Sequence, residues 1–190
     1  MFNGVFTALI TPFKDNQIDE QSFRSFIDFQ INEGIHGVVP VGTTGESPTL
    51  SHDEHKNAVE ICIDQVSKRV PVIAGTGSNN TEEAIDLTIH AQEAGADAAL
   101  VVTPYYNKPT QDGMYAHYEA ISKASKIPII IYNIPGRSVI DMNNETMLEL
   151  FKLKNIVGVK DATSNIPRVY EAKTKIGSNF NLLTGDDATT

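Results

Sequence analysis

One lysine in this chain stands where an amine can act as a nucleophile. The stretch Asn155 to Thr163 reads N-I-V-G-V-K-D-A-T, and its β-branched run Ile156, Val157, Val159 predicts a strand buried on both sides. Period-two alternation then places Ile156, Gly158 and Lys160 on one face and Val157, Val159 and Asp161 on the other. Of the eleven lysines, the other ten fall in polar turns or on wet faces and ends of helices, and Lys160 alone closes an apolar strand. Desolvation disfavours its ammonium form, and a neutral amine can attack a carbonyl to form a Schiff base. Gly158, two residues back on the same face, is expected to leave space below the amine. The competing reading is a lysine that snorkels from a strand end to water.

Three further segments carry polar groups at the ends of apolar runs. Tyr132 follows Ile129-Ile130-Ile131 as Lys160 follows its own run, so a phenol and an amine are expected at one mouth; alternatively, Tyr132 is a core aromatic with its hydroxyl satisfied locally. Gly42-Thr43-Thr44-Gly45-Glu46-Ser47 lets backbone N–H groups and two hydroxyls approach a small carboxylate, or is a plain glycine turn into a capped helix. Arg137 follows a Pro-Gly turn in Tyr132-Asn133-Ile134-Pro135-Gly136-Arg137, where it can clamp a carboxylate or lie as a solvated charge. Thr103-Pro104-Tyr105-Tyr106-Asn107 completes the set.

The elements that must position these groups recur regularly. Seven short apolar runs begin near Val5, Gly37, Pro71, Ala98, Pro128, Ile156 and Asn181, 25 to 34 residues apart, with amphipathic segments between them. That is the period of a repeated strand-helix unit, and it predicts a parallel sheet with right-handed crossovers. Ser51 with Glu54 is a capping box before the stripe Val59, Cys62, Ile63, Val66, and Asn80 with Glu83 is a similar cap before Ala84, Leu87 and Ala91. The first helix, about Glu20 to Glu33, turns Phe23, Phe26, Ile27 and Ile31 inward and stops at Gly34. Regular succession, with no third glycine after Gly75-Thr76-Gly77, favours a (βα)8 barrel over a doubly wound sheet. Residues 1–190 then form one incomplete barrel domain with about seven of eight strands, the chain ending in a strand-to-helix loop as the N-terminal portion of a longer protein.

The net charge of −9 and pI near 4.9 argue against nucleic acid or an anionic membrane surface as partner, so an anionic substrate needs local positive groups. The first residues lack a basic segment and meet Pro12 after a short apolar run, which excludes a signal peptide or membrane span there and makes a cytoplasmic location the default. Cys62, the only cysteine, sits on a helical apolar stripe and reads as a core thiol.

In their order and spacing, G-T-T-G-E-S, T-P-Y-Y-N-K-P, Y-N-I-P-G-R and G-V-K-D-A-T resemble the dihydrodipicolinate synthase family of pyruvate-dependent class I aldolases. The arginine of Y-N-I-P-G-R favours the synthases over the related sialic acid lyases and keto-deoxy-sugar aldolases, which lack it. The resemblance implies a (βα)8 TIM barrel followed by a helical C-terminal domain, missing here, and a homotetramer built from tight dimers. It implies condensation of pyruvate with L-aspartate 4-semialdehyde in lysine and diaminopimelate biosynthesis, with no metal and no organic cofactor. Carried over, Lys160 forms the imine with pyruvate and Tyr132 shuttles the proton. Thr43 links Tyr132 to Tyr106, which reaches a neighbouring subunit's site. Thr43 and Thr44 hold the pyruvate carboxylate and Arg137 that of the semialdehyde. An allosteric lysine site is implied at Ser47, His52, His55, Asn79, Glu83 and Tyr105, although two histidines three apart more commonly decorate the first turn of a helix. Another aldolase of the family, or a non-catalytic remnant without a closed barrel, is the alternative.

Overall fold

Parallel strands and helices alternate along the chain as the apolar runs predict. The computed structural model describes residues 2–177 and 179–189; positions 1 and 190, the expected limits of the domain, lie outside the described residues. In order these are β1 (Phe6–Ala8), β2 (Phe13–Lys14), β3 (Gln17–Ile18), α1 (Glu20–Asn32), β4 (Gly37–Val39), α2 (His52–Val66), β5 (Ile73–Gly75) and α3 (Thr81–Ala94). There follow β6 (Ala98–Val102), α4 (Gln111–Ala124), β7 (Ile129–Asn133), α5 (Pro135–Ser138), α6 (Asn144–Phe151), β8 (Ile156–Asp161), α7 (Ile166–Ile176) and β9 (Asn181–Thr184). All seven expected runs are strands. The sequence reading missed the hairpin β2–β3, whose two strands are only two residues each and whose turn residues Asp15 and Asn16 take positive φ.

β1 pairs with β4, and β5 to β9 form one sheet in chain order, every one of these pairs parallel; a single bridge, Val38 to Val72, joins the two groups. Chain order without reversal is what separates this topology from a doubly wound sheet. β1 and β9 stand at the two ends of the order, and the Phe2 amide donates to Asn181 Oδ1 at 2.9 Å, tying the first residues to β9.

The strands divide their side chains between two apolar layers. Val101, Ile129, Ile131, Ile156 and Val159 face Met114, Tyr118 and Ile121 of α4 and Met147 and Leu150 of α6, whereas Val39, Ile73, Leu100, Ile130 and Tyr132 form a separate inner cluster. Burying one such side chain stabilises the fold by about 1.5–3 kcal/mol, so strand phase is strongly specified. Helix starts follow the expected chemistry: Ser51 and Glu54 make a reciprocal capping box on α2. The cap of α3 is only half of one. Asn80 accepts from the Glu82 and Glu83 amides, but the Glu83 carboxylate turns to Ser78 and His52 instead of back to the cap. On α1, Phe23 and Ile27 are buried, Phe26 and Ile31 pack partly, and Gly34 takes φ +89° at the stop. Cys62 is a buried thiol, its pKa pushed up to about 12 by burial.

Strict alternation along β8 fails at its start. Ile129 pairs with Ile156, but Ile130 pairs with Gly158, so β8 carries one extra residue there. Ile156 therefore joins Val159 in the helix-facing layer and Val157 turns to the inner cluster, the reverse of the expected faces. From Gly158 onward the expected phase holds. The space beside Gly158 is not left below the amine: Asn181 fills it, and an added Cβ at Gly158 would lie 2.6 Å from both Asn181 Cβ and its carbonyl oxygen. We therefore predict that Gly158→Ala lowers stability by about 1–3 kcal/mol, the usual cost of overpacking, seen as a lower urea midpoint; an unchanged midpoint would mean that β9 yields without cost.

Candidate active site

The register that follows the extra residue in β8 sets Tyr132 opposite Lys160 and Asn133 opposite Asp161. Tyr132 and Lys160 thus point to the inner side from adjacent strand ends, and the Lys160 Nζ lies 4.4 Å from the centre of the Tyr132 ring. The aromatic face attracts the ammonium form modestly, but burial dominates. Desolvation holds the Lys160 amine below its ordinary pKa, and the Asp187 carboxylate pulls it partly back. Gly185 gives the lysine stem its room, since a Cβ there would meet Lys160 Cε at 2.8 Å. Sequence reasoning passed over this glycine; its one legible signal is its place just after the last apolar run.

The Tyr132 side chain is 6% exposed. Burial raises its phenol pKa, while a hydrogen bond with the Thr43 hydroxyl and the Arg137 charge act against the rise. The phenol therefore stays protonated near neutral pH and can give or take a proton without a charged base beside the amine. Arg137 is placed by α5, a single turn begun by Pro135 and fastened by Ser138, whose hydroxyl meets Thr103 Oγ1, the Ile134 carbonyl and the Ile140 carbonyl. Among the described residues Arg137 makes no ion pair, which leaves its guanidinium available to an anion.

A cavity of about 220 Å³ lies on the far side of Tyr132 from the amine; its wall includes Gly42, Thr43, Ser47, Tyr105, Tyr132 and Arg137 but not Lys160. Thr44 is exposed and does not line it. Tyr106 is 86% exposed, and among the described residues its hydroxyl makes no hydrogen bond to Thr43.

The six positions of the implied effector site divide. Ser47 and Tyr105 belong to the cavity wall. His52 Nε2 meets Glu83 Oε1 at 2.5 Å, and Ser78, not foreseen, donates to the other Glu83 oxygen; the Ser78 bond, with His52 helping, holds the Glu83 carboxyl below its usual pKa. Asn79 exchanges hydrogen bonds with Asn107. His55 is buried and held neutral, its pKa lowered by burial to about 4, so neither histidine merely decorates the helix: His55 is packed inside and His52 reaches Glu83 of α3. Backbone strain gathers at this same end of the sheet. Val41, Glu46, Tyr106, Lys108, Val139 and Ser164 all take positive φ in the loops that follow β4, β6, β7 and β8. For β-branched Val41 and Val139 this is unfavourable, and such strain concentrates where loops hold functional groups. Among the described residues no group of three or more His, Cys, Asp and Glu side chains is placed to hold a metal ion, and no helix is long and apolar enough to cross a membrane.

An inward lysine against a buried tyrosine at parallel-strand ends, with an arginine over the adjoining cavity, defines a site suited to Schiff-base chemistry on a small keto acid. The chain belongs to the dihydrodipicolinate synthetase family, whose family model matches residues 1–190. It is 63% identical over 188 residues to the 4-hydroxy-tetrahydrodipicolinate synthase of Nitrobacter hamburgensis, the match covering 99% of this chain and 64% of the relative. Its fold matches the crystal structure of dihydrodipicolinate synthase from Aquifex aeolicus with TM-score 0.98 and 46% identity, covering all of this chain and 65% of that one. The chloride-inhibited enzyme from Acinetobacter baumannii, complexed with pyruvate, matches with TM-score 0.97 and 46% identity over the same shares. The chain thus spans about 64–65% of the length of these relatives.

Two buried histidines give the fold a defined acid sensitivity. His55, and His117 on α4, whose Nδ1 meets Thr81 Oγ1 at 2.9 Å, both have pKa values lowered by burial from 6.5 to about 4. Between those limits the unfolded chain binds more protons than the folded one, so stability is flat in this respect above about pH 6.5 and falls as pH drops toward 4. Each contributes about 3 kcal/mol of loss across the window. We expect urea unfolding of His117→Asn to lose clearly less stability than the parent between pH 7 and pH 5, and an equal loss in both would contradict the assignment.

Proposed function

We propose that the chain carries the catalytic part of a 4-hydroxy-tetrahydrodipicolinate synthase, which condenses pyruvate with L-aspartate 4-semialdehyde on the route to diaminopimelate and lysine. The observation that carries the reading is the half-buried Lys160 amine 4.4 Å above the Tyr132 ring; the 63% identical relative of that name supports it. The neutral amine adds to the pyruvate ketone carbon, and a proton taken up from solvent lets the carbinol hydroxyl leave as water, giving a protonated imine. The imine withdraws electrons from the adjoining methyl group, Tyr132 relays the methyl proton, and the resulting enamine carbon attacks the aldehyde. Thr43 and Thr44 hold the pyruvate carboxylate and Arg137 that of the semialdehyde. The protonated imine supplies the electron sink, so the reaction needs neither metal nor organic cofactor.

In this reading the ordered parallel strands are seven of the eight of a (βα)8 barrel of class I aldolase type, a helical C-terminal domain follows, and the whole enzyme is a cytoplasmic homotetramer. Tyr106, exposed in one chain, completes the relay of a neighbouring subunit. The cluster around His52, His55, Asn79 and Glu83, with Ser47 and Tyr105, receives lysine as an inhibitor, Glu83 pairing with its amine.

Pyruvate with borohydride should leave a reduced three-carbon adduct on Lys160 alone, read by intact mass and peptide mapping. A label at another lysine, or an equal label in Lys160→Ala, would refute the assignment. In Tyr132→Phe turnover should fall about a hundredfold with pyruvate binding nearly unchanged; near-normal turnover would remove the tyrosine from proton transfer.

A further inference from the structure

The residues that follow Tyr132 and Lys160 are also register partners, and they point the other way. Asn133 is fully buried at the end of β7; its Nδ2 donates to Asp141 Oδ1 at 2.8 Å and its Oδ1 accepts from the Met142 amide at 3.1 Å. Asp161 ends β8 with its side chain 11% exposed, and its Oδ1 accepts from the Thr163 amide and hydroxyl. Arg168 of α7 closes the ring between them. Its Nη1 donates to both Asp141 oxygens at 2.6 and 2.7 Å and its Nη2 to the Met142 carbonyl; its Nε faces Asp161 Oδ2 at 3.6 Å as an ion pair without a hydrogen bond, and this buried N–H has no other partner among the described residues. The Arg168 side chain is only 12% exposed, so a strong charge has been drawn out of water to span two strand ends. Its backbone is fixed as well: the Arg168 amide donates to Asn165 Oδ1 at 3.1 Å and its carbonyl accepts from Asn144 Nδ2.

We propose that Arg168 is a positioning residue for the Tyr132–Lys160 pair: by bridging Asp141, and through it Asn133, to Asp161, it locks the end of β7 against the end of β8. The inference rests on the lyase reading above. Each clamped residue is covalently next to a reacting one, so a slip of the outer pair carries over to the inner pair. The two strand ends are otherwise held by their backbone bonds and by the contact of Lys160 with the Tyr132 ring, with strained loops beyond them. A guanidinium can meet two carboxylates and a carbonyl at once; an ammonium, which lacks that planar spread of donors, cannot. Imine formation needs the amine and a proton for the departing hydroxyl, which solvent can supply, whereas loss of the methyl proton needs phenol and amine in register. The clamp therefore acts on the second step.

The test compares two readouts in the parent, Arg168→Lys and Asp141→Asn: borohydride trapping of pyruvate on Lys160, and exchange of the pyruvate methyl protons with D2O followed by NMR. Trapping should hold within about threefold, while exchange should fall about a hundredfold in Arg168→Lys and about tenfold in Asp141→Asn, as a misplacement near 1 Å does. Asp141 is half exposed, so its variant carries the comparison whatever the folding of the other. Exchange per trapped molecule unchanged in both variants overturns the clamp, and so do trapping and exchange that fall together with the folded fraction. Absence of any adduct in the parent overturns the lyase reading itself and this inference with it, and is distinguishable from either outcome.

Discussion

The desolvation of one amine governs the layout of this molecule. Lys160 can be kept below its ordinary pKa only if its stem is enclosed, and the enclosure comes from three sides: the Tyr132 ring, the passage left by Gly185, and the inner apolar cluster beneath Ile130 and Leu183. None of these is local in sequence. They meet because β7, β8 and β9 lie side by side in parallel, which places consecutive strand ends at one edge. The extra residue near Val157 then sets which side chains face inward there. With strict alternation from Ile156 the apolar layers would mismatch by one residue at the foot of β8; with the extra residue both Ile156 and Val159 reach the helices, and Lys160 still faces in.

The same edge bears the fold's unfavourable backbone. Positive φ at Val41 and Val139 is sustained because their surroundings are fixed by other means: Gly75 packs so closely on the Val41 backbone that a Cβ there would meet the Val41 carbonyl oxygen at 2.4 Å, Gly45 lies against it more loosely, and Ser138 ties the turn before Val139 to Thr103. Cavity, buried titratable groups and most of the strain thus coincide where the loops converge; at the opposite ends of the strands Ser67 and Lys68 also take positive φ, beside a surface cleft and exposed ion pairs such as Arg69 with Asp28. Exposed pairs of that kind contribute little to stability, so the molecule's costly electrostatics are concentrated at its site.

Much of this was legible in the sequence, for identifiable reasons. Seven strands and their helices follow from apolar periodicity and from caps such as Ser51 with Glu54, because these signals are local. Lys160, Tyr132, Thr43 and Arg137 were legible because each closes an apolar run or a glycine turn, and the structure brings all four to one mouth. What periodicity could not give was anything set by pairing partners. The faces of Ile156 and Val157 depend on register against β7, and the use made of Gly158 depends on Asn181 from the next strand. Arg168 carries no motif or periodicity signal of its own, and only its placement over Asp141 and Asp161 distinguishes it. Tyr106 shows the converse: a residue singled out by its motif that one chain leaves in solvent.

The chemistry of the site depends on the state of the Lys160 amine, which can be measured directly. With lysines labelled at the ε-carbon, NMR titration would follow all eleven amines, Lys160 being assigned by its loss in Lys160→Ala. The prediction is a Lys160 midpoint clearly below the ordinary lysine value near 10.5, with Lys175, paired with Glu171 and Glu145, displaced the opposite way. A Lys160 midpoint at or above the ordinary value would show a solvated or ion-paired ammonium, and would contradict the claim that burial makes this lysine the nucleophile.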